Sequence, residues 1–359
     1  MTILYILGAI LIFGVLVALH ELGHFVAAKL CGVRVNEFSV GMGPVLWCRD
    51  RGETQYSLRA LPIGGFCAME GEDEDSTDER ALNTQSLWKQ LIIFAAGPLM
   101  NLLTGLVILL GLYAGVQVIQ IPAIAGVAPE FASYNGVTLQ EGDIFWSING
   151  ERVYLYNDVD LLLNLNKGEP LDLVVVRDGE KITFENLQWN TFTGLEGESY
   201  QGYGIYRDLT TTEEATLGGK LRMAWLNTVD FVRVVRLSLQ MLFTGEAGVD
   251  DLSGPVGIVS SMTEAGEQAQ ELGGISAAVE SMFYFAAMLA VNLAVMNLLP
   301  IPALDGGHIL FLVVDAVSML LLRKKVPARY MAAVNTAGFV VLMGFMLFVT
   351  FHDVFRLVG

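Results

Sequence analysis

The chain has 359 residues, of which 53% are hydrophobic and only 16% charged, and its mean hydropathy is positive; that balance excludes an ordinary soluble protein. Against 21 Lys and Arg stand 38 Asp and Glu, a formal charge of -17, which excludes nucleic acid and any other partner held by phosphate neutralisation. The charge is uneven: residues 1–28 contain no Lys or Arg, while residues 120–276 hold 9 basic and 23 acidic side chains, so a hydrophobic chassis and a separate acidic module are predicted.

Thr2 to Leu30 is apolar enough to cross a bilayer, whose hydrocarbon core of about 30 Å needs roughly 20 helical residues. It is too long for a signal peptide and has no basic start. Within it stands His20-Glu21-Leu22-Gly23-His24. On a helix, histidines at i and i+4 share one face, so both imidazoles reach one ion while Glu21 stands close enough to act on a water there. A polar contact between helices is the plainer reading of the same residues, but three ionisable groups within five residues of an apolar helix are costly without a partner such as a metal.

Cys31, Cys48 and Cys67 are odd in number and close together, so they describe no disulfide framework and point to a reducing compartment. Arg34 to Leu61 alternates polar and apolar residues with turn signals at Gly41-Met42-Gly43-Pro44 and Asp50-Arg51-Gly52, which predicts β-hairpins with an edge strand. Gly71 to Glu79 is a charge run, read as a solvated loop. Leu87 to Val118, entered through Trp88 and Lys89, is the second predicted span.

From Ile121 to Tyr206 come short β-rich runs (Ile144 to Ile148, Leu171 to Arg177, Lys181 to Leu187), with a helical stretch from Val159 to Leu165 between two of them. A small α+β domain is expected. Leu217 to Phe243 has apolar residues three or four apart, among them Leu221, Trp225, Val232 and Leu242, which suits an amphipathic helix on the membrane surface or on another helix. The apolar region Ala277 to Leu322 is interrupted by Asn297, Pro300, Pro302 and Asp305-Gly306-Gly307, which predicts a broken third span. The fourth runs from about Tyr330 to Phe351. Basic residues flank the spans at Lys29, Arg34, Arg80, Lys89 and the cluster Arg323, Lys324, Lys325 and Arg329; with these inside, the N-terminus and the acidic module lie outside.

A hydrolytic zinc site usually has three protein ligands, and Asp305 is the candidate third, because Gly306 and Gly307 let the backbone turn and approach closely. A turn or helix cap would explain the same residues. His308 is the alternative ligand, and His352 is read as an interfacial side chain.

These residues resemble the signatures of the site-2 proteases, M50-type zinc metalloproteases that cut inside membranes: His20 to His24 in the first span, Gly97-Pro98-Leu99-Met100-Asn101 in the second, and Asn297 to His308 in the third. The resemblance runs nearly the whole length and takes in Phe38 to Pro44 and Leu252 to Ile258, similar to the bacterial RseP-like branch. Gly136 to Gly150 resembles a bacterial PDZ signature, which implies strand-wise binding of an extended peptide or a peptide C-terminus. Fewer than 160 residues separate the second and third spans, so one PDZ-like domain fits and a tandem pair does not.

The resemblance implies a polytopic α-helical membrane protein with a membrane-associated β-hairpin region and an inserted α+β domain. Its divisions are 1–31 (first span), 32–86 (hairpins and acidic loop), 87–119 (second span), 120–208 (PDZ-like), 209–276 (amphipathic helix and linker), 277–323 (broken third span) and 324–359 (fourth span and C-terminus). It further implies Zn²⁺ held by His20, His24 and Asp305, and Glu21 as general base. Asn297 would hydrogen-bond substrate, or be no more than a helix-breaking polar residue beside Pro300; and because a substrate helix must be unwound before attack, an edge strand within Arg34–Leu61 is expected to take up its backbone. Gly97, Pro98, Asn101, Gly306 and Gly307 are read as structural, Asn101 bonding backbone freed by Pro98. The implied setting is the bacterial inner membrane with the active site toward the cytoplasm, and the implied substrates are single-span proteins such as anti-sigma factors or remnant signal peptides. The rivals are a non-proteolytic PDZ-bearing scaffold, against which an intact Glu21 speaks, and a zinc transporter, which would need polar residues continuing through several spans.

Overall fold

The computed structural model describes residues 2–72, 76–194, 197–208, 210–246, 248, 253–324 and 328–358. In chain order the elements begin with α1 (Thr2–Cys31), β1 (Val35–Arg51), β2 (Thr54–Met69), α2 (Leu87–Ala114), β3 (Val118–Gln120), β4 (Ala123–Val127), α3 (Phe131–Asn135), β5 (Ile144–Ile148) and β6 (Glu151–Arg152). They continue through α4 (Asp158–Leu165), β7 (Leu171–Arg177), β8 (Glu180–Leu187), β9 (Asn190–Thr193), β10 (Ser199–Gly202), β11 (Ile205–Asp208), β12 (Thr212–Glu214), α5 (Leu217–Thr244), α6 (Pro255–Asn297), α7 (Asp305–Leu322) and α8 (Ala328–Val358). Contacts divide the chain into two compact units, residues 1–112 with 231–359, and residues 113–230. Of the sequence features above, Asp73 to Asp75 of the charge run, Leu252 and Lys325 lie outside the described residues.

Among the described residues, five helices are long and apolar enough to cross a membrane: α1, α2, α6, α7 and Tyr330–Arg356 within α8. Helix α1 contains no proline and continues to Cys31, where Gly32 (φ 81°) turns the chain and Val33 N–H closes on the Ala28 carbonyl at 2.8 Å. Its glycines mark close approaches. A Cβ at Gly23 would stand 2.4 Å from the Ala96 carbonyl oxygen, and one at Gly14 would stand 2.3 Å from that of Pro62.

Helix α6 holds a break that the sequence reading did not place. Gly274 (φ 73°) divides it into residues 255–273 and 275–297, and both halves pack on α1, Met262 and Met282 joining Tyr5 and Ala9 in one buried cluster. The first half carries Glu264, Glu267 and Glu271, too polar to be read as a span. Beyond it the contacts advance together along α1: Tyr5 clusters with Ala278 and Met282, Leu16 with Leu289 and Ala290, His20 and His24 meet Asp305, and the cluster of Ala27 and Ala28 takes in Ile309 and Leu312. The second half of α6 and α7 thus run alongside α1 in its own direction, interrupted at residues 298–304. Helix α8 closes on this break through Gly338, where a Cβ would lie 2.4 Å from Pro302 Cβ, and its Asp353 accepts the Gly257 N–H at 2.8 Å.

Strands β1 and β2 pair along their whole lengths, and residues 37–40 carry two sets of partners, 65–68 running opposite and 55–58 in step. The two strands therefore make four runs in the order 45–51, 54–59, 35–40 and 65–69. Gly41 and Gly43 (φ 85° and 83°) bend β1 where the sequence predicted a separate turn. Met42, Val45, Leu46, Trp47, Leu58 and Leu61 are exposed on this sheet, an apolar surface of the kind that meets lipid or protein.

The second unit is built on a sheet of order β11-β4-β5-β7-β8, with β6 paired to β5. Strand β7 alternates buried and half-exposed positions, and Leu171, Leu173 and Val175 join Ile124, Ile148 and Leu162 in the core. Asn149 and Gly150, both with positive φ (48° and 81°), make the tight turn from β5 to β6 that Asn-Gly favours. Asp143, almost wholly buried before β5, receives both arms of Arg177 at 2.6 and 2.7 Å and the Gln140 N–H at 2.9 Å. The apolar residues of α5 divide: Leu221, Trp225, Val232 and Leu242 are exposed, while Met223, Ala224, Phe231 and Val235 are buried together with Asn227, Thr228, Asp230 and Arg233. The helix thus packs part of its apolar surface on protein and leaves the rest open, an arrangement that fits either of the two settings expected for it.

Candidate metal centre

One turn of α1 brings His20 and His24 onto the same face with Nε2 atoms 3.2 Å apart, both rings buried. The break after α6 returns the chain to them. Asp305 opens α7, and its Oδ2 lies 3.1 Å from His20 Nε2 and its Oδ1 3.3 Å from His24 Nε2. Asp305 Oδ2 is buried and receives no hydrogen bond among the described residues. Ligand atoms held about 2.0–2.2 Å from a tetrahedral zinc stand roughly 3.3 Å from one another, and one donor atom from each of the three residues lies within 4.8 Å of the others, close enough to serve a single ion. Two nitrogens and an orphaned carboxylate oxygen are also the donor set that zinc accepts.

The surroundings fix the rings. His24 Nδ1 donates to the Ile93 carbonyl at 2.8 Å, and His20 Nδ1 faces the Asn101 amide nitrogen at 3.3 Å. Asn101 was expected to bond backbone freed by Pro98; its side chain turns instead to His20, because position 101 faces α1 one turn beyond Gly97. Gly97 lets the rings lie against the α2 backbone: a Cβ there would stand 2.2 Å from His24 Nε2 and 2.8 Å from His20 Cε1.

Asp305 is held by a strained turn. Ala303 adopts φ 75°, a left-handed conformation unusual for a residue with a side chain, and its N–H donates to Asn335 Oδ1 of α8 at 2.6 Å. At Gly306 and Gly307 a Cβ would lie 2.2 Å from the Leu299 carbonyl oxygen and 2.4 Å from that of Ile301, so only glycine lets α7 begin beneath the break.

A cavity of about 550 Å³ opens on the cluster and is lined by His20, Glu21, His24, Asn297 and His308 together with Phe66 to Met69. Glu21 is hydrogen-bonded to the backbone of Cys67, and burial, then the Glu21 and Glu72 carboxyls, push the Cys67 thiol up and keep it protonated. His308 lies outside the three-residue cluster and stacks on Phe94, ring centroids 4.7 Å apart. His352, at the end of α8 beside Asp353, is also no part of the cluster. The sheet edge at the cavity is Phe66 to Met69, beyond the stretch Arg34–Leu61 in which the sequence reading sought it. Strand β2 bends at Gly64 (φ 87°) and continues to Met69, past Leu61, where the expected hairpin stretch ended.

Residues 8–345 match the family described as Peptidase family M50. A Clostridium perfringens protein, named as a candidate zinc metalloprotease, is 36% identical over 352 residues, 98% of each chain. The Regulator of sigma-W protease RasP of Bacillus subtilis is 29% identical over an alignment covering 98% of each chain, and the Zinc metalloprotease RasP of Shouchella clausii is 29% identical over 98% of this chain and 99% of its own. With its long apolar helices and its match along nearly the whole sequence, the chain belongs to Peptidase family M50, the membrane zinc metalloproteases of the site-2 type.

Proposed function

We propose that His20, His24 and Asp305 hold the zinc of this protease and that Glu21 is the general base in cleaving single-span membrane proteins within the bilayer. The observation that carries the reading is the meeting of two imidazole nitrogens 3.2 Å apart with a carboxylate whose two oxygens lie 3.1 and 3.3 Å from them, and with a second carboxylate, Glu21, one residue from the first ligand on the same turn. Zn²⁺ supplies Lewis acidity at such a site, lowering the pKa of water to about 7 and polarising the scissile carbonyl. Glu21 takes the proton of the attacking water and delivers it to the leaving amine nitrogen. The Asn297 amide, on the cavity wall, hydrogen-bonds substrate backbone or the developing oxyanion. A substrate helix must be unwound before attack, and the edge Phe66 to Met69 takes up the released backbone as an added strand.

The common direction of α1, the second half of α6 and α7 supports four crossings with the third broken at residues 298–304. The basic flanks support an outside N-terminus, an extracytoplasmic unit 113–230 and a centre toward the cytoplasm. That unit is PDZ-like and binds an extended peptide or a peptide C-terminus. The substrates are anti-sigma factors or remnant signal peptides; the name of the Bacillus subtilis relative, a regulator of sigma-W, supports the first.

The test compares wild type with Glu21→Gln on a tagged single-span substrate, with bound metal measured in both. Lost cleavage with retained zinc is expected. Equal cleavage would remove Glu21 from the chemistry, and lost zinc would move it to the ligands.

A further inference from the structure

We propose that Asn101 selects the tautomer of His20 and thereby tunes the zinc affinity of the centre, an inference that rests on the ligand assignment above. A neutral imidazole that offers Nε2 to a cation must carry its proton on Nδ1, and that N–H needs an acceptor when it is buried. His24 has one in the Ile93 carbonyl, which can only accept. At His20 the facing group is the Asn101 amide, whose nitrogen stands 3.3 Å from Nδ1 while its Oδ1 is buried without a partner among the described residues.

An amide nitrogen cannot accept a proton donated by Nδ1. The acceptor that Nδ1–H needs is therefore Asn101 Oδ1, the other end of the same amide. Half a turn about its terminal side-chain bond exchanges the two ends in the same space, and Oδ1 then accepts from Nδ1–H. One rotation satisfies the orphaned oxygen and frees His20 Nε2 for the ion. Asn101 is 1% exposed, and its amide is the group the structure sets against Nδ1. It is a positioning residue, since it acts on the metal through His20.

The experiment measures zinc affinity by chelator competition on the full chain in detergent, for wild type, Asn101→Leu, Asn101→Ala, Asn101→Asp and His20→Ala. Leu and Ala are expected to weaken zinc about 10- to 100-fold, the range for removing a group that orients a histidine ligand. Asp, which presents only acceptors to Nδ1, is expected to restore most of that affinity. The inference is overturned if Leu binds zinc as wild type does, or if Asp is as weak as Leu, since a donor or a packing role predicts the latter. If His20→Ala binds zinc as tightly as wild type, it is the ligand assignment that fails. Should the Leu variant not fold, Ala against Asp makes the same comparison. The chain has only four histidines, so nitrogen resonances of labelled histidine report the His20 tautomer independently of affinity.

Discussion

Replacing Gly97 by alanine tests how closely the α2 backbone abuts the two histidines. The added Cβ would lie 2.2 Å from His24 Nε2, 2.6 Å from His24 Cε1 and 2.8 Å from His20 Cε1, whereas ordinary contact begins at 3.4 Å. The His24 ring must therefore retreat by about 1.2 Å and the His20 ring by about 0.6 Å. Neither is loose, because His24 is tied to Ile93 and His20 faces Asn101. Metal–ligand distances tolerate about 0.2 Å, so the required shift is several times what a zinc site absorbs. Zinc affinity should fall by about 100-fold or more, about 2.8 kcal/mol. Chelator competition on the full chain reads this, with thermal melting in excess chelator to check that the variant is folded. A folded Gly97→Ala chain that binds zinc within a few-fold of wild type would refute the close approach.

Strand-wise capture of substrate predicts a spacing. In the Glu21→Gln chain, substrates carrying a photocrosslinker at successive positions near the scissile bond should label Phe66 to Met69 from every second position; a three- to four-residue period, or none, would rule out the added strand. In the second unit, burial alone would raise the Asp143 carboxyl, but Arg177 and the Gln140 N–H hold it below the ordinary range. A lowered folded value stabilises above the unfolded pKa of about 3.9 and is lost as pH falls through the folded one, so wild type should be insensitive between pH 7 and 5. Arg177→Met leaves a buried carboxylate unpaired, at a cost of about 3 kcal/mol near pH 7, and reverses the sign: protection of β5 and β7 amides in hydrogen exchange should rise on acidification. Equal pH profiles in both chains would contradict this balance.

Much of this was legible in the sequence because it rests on local rules. The HExxH spacing needs only a helix to bring its imidazoles together, and α1 has nothing to break it. The prolines and glycines after Asn297 announce the interruption that returns Asp305, and Asn149-Gly150 announces its turn. What sequence reading missed depends on tertiary neighbours. The strand beyond Leu61 goes unseen unless the chain around Ser39 is there to pair with Phe66. Residues 255–273 look too polar for a buried helix until Met262 is seen against Tyr5 and Ala9. Asn101 looks like a partner for the backbone near Pro98, since nothing in its own helix reveals a histidine 81 positions earlier.

The grip of Asn335 and Gly338 on the turn before Asp305 bears on how such an enzyme is made. Helix α8 is mostly exposed, yet the turn that carries Asp305 leans on it. A nascent chain that has inserted α1 and α2 offers two histidines and no third group. Asp305 arrives later with α7, and α8 then steadies the turn that carries it. The cluster is therefore assembled from helices far apart along the chain, and the helix that braces its turn follows all three of its members in sequence.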